Sequence, residues 1–321
     1  MAFSQKLINV TVQLAPNTQT NQPNTFAESG TDTVTLSGSR TSVRIENSGA
    51  PADGRAQVRI WGMTPSLMNQ LATLGLVFNL VPKNVLTIEA GDTAVGMATV
   101  FTGTIWAAYG DYQAQPDVPF VFECLSGAAE AVINVPPSSF QGSVSVASMM
   151  SGFARQMNLG FENNGVSTQL TNAYFSGSAK DQAAKCAADA DIKWGIINGN
   201  VLSIWPKGGN RNTTSVPVIS PFPTGGMVAY PAFTQQGIIV KTLFDPRIAF
   251  GALVQVQSSL LSAIAGAQPT SPAAGGAQTF PSMWAVNKLD LALDSLLPKG
   301  QWVSTIYGYN PGYARSIIPP A

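Results

Sequence analysis

Histidine is absent from the 321 residues. Its absence removes Ser-His-Asp and Cys-His nucleophile arrangements, His-ligated zinc and the commonest general base near neutral pH. No GxSxG, SxxK, GxGxxG or GxxxxGK occurs anywhere in the chain. Nucleophile-elbow, penicillin-binding, dinucleotide-binding and P-loop readings therefore fail together. Cysteine is nearly absent as well: Cys124 and Cys186 stand 62 positions apart with no CxxC. Two cysteines cannot staple a chain of this length or build a zinc site by themselves, so two buried, reduced thiols are expected.

Charge is the third scarcity. Only 11% of residues are Asp, Glu, Lys or Arg, against about 25% in an ordinary globular domain. Lys plus Arg and Asp plus Glu number 17 each, so the net charge is zero. No basic run or stripe offers the phosphate neutralisation that sequence-reading nucleic-acid binding needs. A neutral chain can still line a channel that DNA crosses, because passage needs weak attraction rather than affinity. A charge-poor surface resists association weakly, which suits a protein covered by partners. The N-terminal MAFSQKLINVTVQL has no basic segment followed by an apolar core, so no signal peptide is expected. The stretch 250–267 is interrupted by Gln255, Gln257 and serines and falls short of a membrane span, so no membrane insertion is expected.

Strand patterns dominate what is present. Leu7, Val10, Val12 and Leu14 begin an apolar alternation; segments 33–36, 41–46 and 56–63 follow, separated by Gly, Ser, Asp and Pro. Thr64 as N-cap, Pro65 at the first helical position and Gly75 as terminator frame one short helix. Strands are expected again at 84–90, 94–109 and 118–125, the last extending as far as Val135. After Pro136-Pro137 the period changes. Val146, Met149, Met150, Phe153 and Met157 form an amphipathic helical stripe capped by Ser143 or Ser145 and ended by Gly160. Ser178 with Asp181 is a capping box opening a second helix. Asn198-Gly199 between two apolar runs marks a hairpin. From Thr213 strands return at 215–219, 227–231, 237–243, 252–258 and 301–309; segment 284–297 suits a strand or a helix. The low-complexity stretch 266–277 reads as a flexible excursion.

Few residues could carry chemistry. Asp189-Ala-Asp191 resembles a DxD metal pair, but it ends an Ala-rich helix beside Lys193, where solvated charges are ordinary. Glu89 and Asp92 could pair as acid and base, but they flank Gly91, and Asp and Gly belong in a turn for conformational reasons. Trp61, Trp106, Trp194, Trp205, Trp284 and Trp302 fall in or beside expected strands, where packing explains them more simply than ligand stacking. Met149, Met150 and Met157 read as helix core. No catalytic, cofactor-binding or metal-binding residue is assigned, no cofactor is expected, and the chain is not read as an enzyme.

The order of segments resembles the baseplate hub proteins of contractile phage tails, related to the hub part of type VI secretion spikes. The similarity lies in RAQVRIWGMTPSLMNQLATLG, NVLTIEAGD and the strand carrying Phe101-Thr-Gly103-Thr-Ile105, then the step Pro116-Asp117-Val-Pro119. It continues through SVASMMSGFARQMNLGFENNGV and the helix–hairpin 178–206, to residue ~210, about two-thirds of the chain. The resemblance implies a mainly β fold with an α+β insert. A first tube-like β-barrel domain (1–136) and a second (211–321, with a flexible segment near 266–278) would flank a two-helix and hairpin domain (137–210). It further implies a homotrimer whose six barrels adapt a sixfold tail tube above to a threefold spike below and enclose the DNA passage. Tape-measure and wedge proteins are further candidate neighbours, and the virion baseplate is the expected location, after synthesis in the bacterial cytoplasm. The competing readings are another tube-like tail protein, such as a distal-tail or tube-end protein, and a surface glycan-binding module.

Overall fold

A computed structural model describes residues 5–16, 24–49, 54–73, 83–93, 96–131, 133–213, 215–221, 225–234, 237–258, 262–263 and 283–311. The first block contains β1 (Lys6–Gln13), β2 (Thr33–Leu36), β3 (Thr41–Asn47), β4 (Arg55–Trp61), α1 (Pro65–Leu71), β5 (Val85–Asp92), β6 (Gly96–Gly110) and β7 (Pro119–Leu125). Each of β1, β3, β4 and β5 buries every second side chain, as a sheet with one wet face requires. Thr64 caps α1, its hydroxyl accepting from the Leu67 amide; Gly75 lies outside the described residues. The extension of β7 to Val135 is not observed: the short helix α2 (Ala128–Ala131) intervenes.

The middle block runs β8 (Ser138–Ser139), β9 (Ser143–Ser145), α3 (Val146–Gln156), β10 (Gly160–Asn163), β11 (Gln169–Thr171), β12 (Tyr174–Phe175), α4 (Ala179–Asp189), β13 (Ile192–Ile197) and β14 (Val201–Pro206). Ser145 caps α3, and Ser178 with Asp181 forms the complete capping box of α4. Asn198 and Gly199 both take positive φ (48° and 69°), the conformation that the β13–β14 turn demands. Helices α3 and α4 bury Met149, Met150, Phe153, Met157, Ala183, Cys186 and Ala187 in a core cluster of their own against the β10–β14–β13 sheet.

The third block holds β15 (Val218–Ile219), β16 (Met227–Thr234), β17 (Gly237–Leu243), β18 (Leu253–Val256), β19 (Ser262–Ala263), β20 (Met283–Ser295) and β21 (Trp302–Tyr309). Segment 284–297, open between strand and helix in the sequence, is strand β20. The stretch 266–278 lies outside the described residues. First and third blocks form one 14-stranded sheet, ordered β19–β16–β17–β21–β20–β3–β4–β7–β6–β5–β1–β2, with β18 also on β20. The join is a seven-residue antiparallel ladder, from Leu289 opposite Asn47 to Ser295 opposite Thr41. One apolar cluster runs beneath both blocks, from Ile8, Val10 and Val12 to Leu291, Leu293 and Ile306. The sheet curls until Lys6 Nζ of β1 lies 5.7 Å from the Trp302 ring of β21. Among the described residues no ladder closes this curl into a barrel. The fold is mainly β, about half of it strand.

Candidate interaction surfaces

The residues weighed for chemistry stand apart. Asp191 takes φ 49° after α4 and pairs with Lys207 (2.6 Å), not with Lys193. Glu89 and Asp92 do not sit in a turn as the sequence suggested. Both belong to β5, opposite Asn9 and Lys6 of β1, and Asp92 is paired with Lys6 at 3.0 Å. Among the described residues no group of three or more His, Cys, Asp or Glu side chains is placed to hold a metal ion. Cys124 and Cys186 are buried and form no disulfide. Burial, first of all, pushes both thiols up, that of Cys186 to about 12, so neither is a nucleophile near neutral pH. All six tryptophans lie in strands. Trp194, Trp205 and Trp284 are buried, and Trp106 is the most exposed at 40%.

Strand register instead assembles two contrasting surfaces on the outer face of the long sheet. The first crosses the β3–β20 join. Lys241, Thr305, Asp290, Glu46 and Arg55 are successive register partners and form one row across β17, β21, β20, β3 and β4. The next row carries Arg44, Gln57 and Glu123, and the one beyond it Asp294, Ser42 and Arg59. Asp294, though on this outer face, is only 8% exposed. It accepts from Arg44 Nη1 (3.0 Å), Ser42 Oγ (2.6 Å) and the Gln301 amide (2.7 Å). Burial works to raise its pKa, but these donors outweigh it and hold the carboxyl below the usual range. Lys288 donates to Asp290 at 3.0 Å and lies 5.1 Å from the Tyr307 ring. The hydrogen bond to Asp290 raises the Lys288 pKa against the opposing effect of burial.

The second surface covers β6, β5, β1 and β2. Thr102, Thr87, Thr11 and Thr35 are successive register partners, a threonine row four strands wide. Hydroxyl pairs join Thr11 to Thr35 (3.0 Å) and Thr87 to Thr102 (3.4 Å). The period-2 pattern showed that such residues face outward, but only register shows that four threonines line up while the charges gather on the other half.

Two further features frame the sheet. At the end where Asn47, Arg55 and Tyr309 lie, the middle block is clamped on. Phe250 packs edge-on against Trp205 (5.6 Å between centroids), the Tyr309 hydroxyl donates to the Gly209 carbonyl, and Arg211 pairs with Glu162 at 3.2 Å. At the opposite end a shallow groove of about 420 Å³ is lined by Trp61, Met63, Met68, Tyr112 and Pro116. Arg40 lies 4.2 Å over Trp61 and reaches Asp117 at 3.6 Å. The turn after β20 exposes Leu296 and Leu297 at the same end. No helix among the described residues is long and apolar enough to cross a membrane.

Comparison with known proteins gives this geometry a context. Residues 20–268 match the family described as baseplate hub gp41. No curated protein matches the chain by sequence. Among solved structures, a tail protein from Neisseria meningitidis MC58 superposes with a TM-score of 0.57 and 8% identity, covering 96% of this chain and 98% of its own. The 43 kDa tail protein of prophage MuSo2 from Shewanella oneidensis gives 0.57 and 9%, covering 96% and 97%. A Francisella PdpA-VgrG complex chain aligns at 0.45 and 10%, over 99% of this chain and 59% of its own. The two tail proteins share the fold of this chain along almost the whole length of both.

Proposed function

The chain belongs to the baseplate hub gp41 family, and from that premise we propose that it forms a homotrimeric hub ring in a contractile phage tail. The role of the family is structural, in the phage baseplate, and not enzymatic. Residues 1–136 and 211–321 then act as two tube-like units and 137–210 as an insert between them. Three chains then present six units around one axis. Such a ring meets a sixfold tail tube on one side and a threefold spike on the other, and it encloses the path of DNA. Tape-measure and wedge proteins are its further neighbours.

The observation that supports this reading is the β3–β20 ladder. It sets the two units edge to edge in one sheet, with their outer faces continuous and one apolar cluster beneath them. A side-by-side pair in each chain is what lets threefold symmetry imitate sixfold. Among the described residues the curl of the sheet stays open, and a ring can bring neighbours to its edge strands across subunits. Light scattering of the purified protein tests the proposal: a mass of three 33.6 kDa chains is expected at micromolar concentration. A stable monomer across that range would count decisively against the trimer.

A further inference from the structure

Charged residues are scarce in this chain, yet one surface is dense in them. The outer rows of β17, β20, β3 and β4 carry the cations Lys241, Lys288, Arg44, Arg55 and Arg59. The same rows, with β7, carry the anions Glu46, Asp290, Asp294 and Glu123. Nine of the 34 charged residues (17 of each sign) therefore lie on the one face that crosses from the first block to the third. Contacts between subunits favour the opposite composition, since charges are depleted at the core of an interface. The threonine row on the other half of the sheet has that composition.

Pairing is the second observation. Arg44 is held by Asp294 and Lys288 by Asp290, each at 3.0 Å, and Arg55 stands opposite Glu46 in register. Five unpaired cations on one face would grip a duplex, because neutralising five phosphates gives a salt slope of roughly −4.5 in log K. Cations already opposed by carboxylates release few counterions from DNA and hold it weakly.

Resting on the hub reading above, we infer that this face lines the passage, and that its four carboxylates, by pairing with Arg44 and Lys288 and nearly balancing the five cations, let double-stranded DNA slide past without being held. The partner is the phosphate backbone of the duplex. The contact is hydrated, transient and independent of base sequence.

Two variants test the inference in the tails of assembled, DNA-filled phage particles. Asp290→Asn removes a carboxylate whose Oδ1 has no hydrogen-bond partner, so it frees Lys288 at little structural cost. Gln57→Lys with Thr305→Lys adds two cations at half-buried positions on the same face and removes no ion pair. Tails carrying either variant are expected to assemble with normal morphology and normal hub content. DNA release, followed with an intercalating dye, should slow several-fold at low salt and recover as salt rises. Release at the wild-type rate from tails that contain the variants would overturn the lining assignment while leaving the hub reading intact. Folded variants that fail to enter tails would overturn it too, by making the face a protein contact. Absence of the wild-type chain from the baseplate would instead sink the hub reading itself.

Discussion

Asp294 is nearly inaccessible and still ionised, because three donors converge on its two oxygens. Arg44 is partly exposed, with 43% of its side chain open to water, so solvent screens the ion pair and the Ser42 and Gln301 bonds carry much of the effect. The folded pKa lies below 3.8, so the unfolded chain takes up the proton first as pH falls. The stabilisation is therefore complete above the unfolded value and disappears as pH drops through the folded one. Replacing Asp294 with Asn should cost about 1–3 kcal/mol at pH 7, the usual penalty for losing charge-assisted bonds at a buried site. Urea titrations at several pH values check this: the gap between wild type and variant should narrow between pH 5 and pH 3. An unchanged gap would mean that the carboxylate is not charged in the folded protein. The residue was legible in the sequence only as one acid among seventeen, since its donors come from β3 and from the turn after β20.

Among the elements, those with local signals were readable in advance and those built from distant partners were not. The Thr64 cap, the Ser178–Asp181 capping box, the Asn198-Gly199 turn and the Met149–Met150–Phe153 stripe are decided by neighbours within a few residues, and each stands where its pattern placed it. Helix α2 leaves no sequence signal, being a single turn too short to show a period, and Glu89 and Asp92 carry a turn signature although β5 runs on through Gly91. The clamp between the middle block and the sheet has no local signal either. Nothing near Gly49 in sequence announces that it takes φ 68° beneath the ring of Phe250, where an added Cβ would overlap that ring. Gly49→Ala should therefore be destabilising twice over, through left-handed backbone at about 1–2 kcal/mol and through the steric clash. Phe250→Ala by itself should cost about 3–5 kcal/mol as a buried aromatic lost from a packed site. In a double-mutant cycle the pair should cost less than the sum of the singles, because removing the ring removes the clash. Strict additivity in thermal or urea unfolding would show that Gly49 and Phe250 do not meet.

At the scale of the whole molecule, the feature that organises the sheet was invisible in the sequence. Leu291 meets Ile45 and Leu293 meets Val43 across about three-quarters of the chain, and strand partnership at that separation leaves no local trace. Two separate barrels and one shared sheet have the same alternation of apolar and polar residues, so only the ladder distinguishes them. The same architecture says what should hold a trimer together. The threonine row on the half of the sheet away from the charged face carries no charge of its own, so a subunit contact built on it would be short of charge. An interface of that kind draws on buried apolar area and neutral hydrogen bonds, which salt screens little; exposed ion pairs lose most of their reach when the Debye length falls from about 10 Å at 0.1 M to about 3 Å at 1 M. The trimer should accordingly keep its mass in mass photometry from 0.1 to 1 M sodium chloride and dissociate in urea before its subunits unfold. Dissociation by salt in otherwise mild conditions would place the charged face between subunits, and would transfer the role of lining the passage to the threonine row.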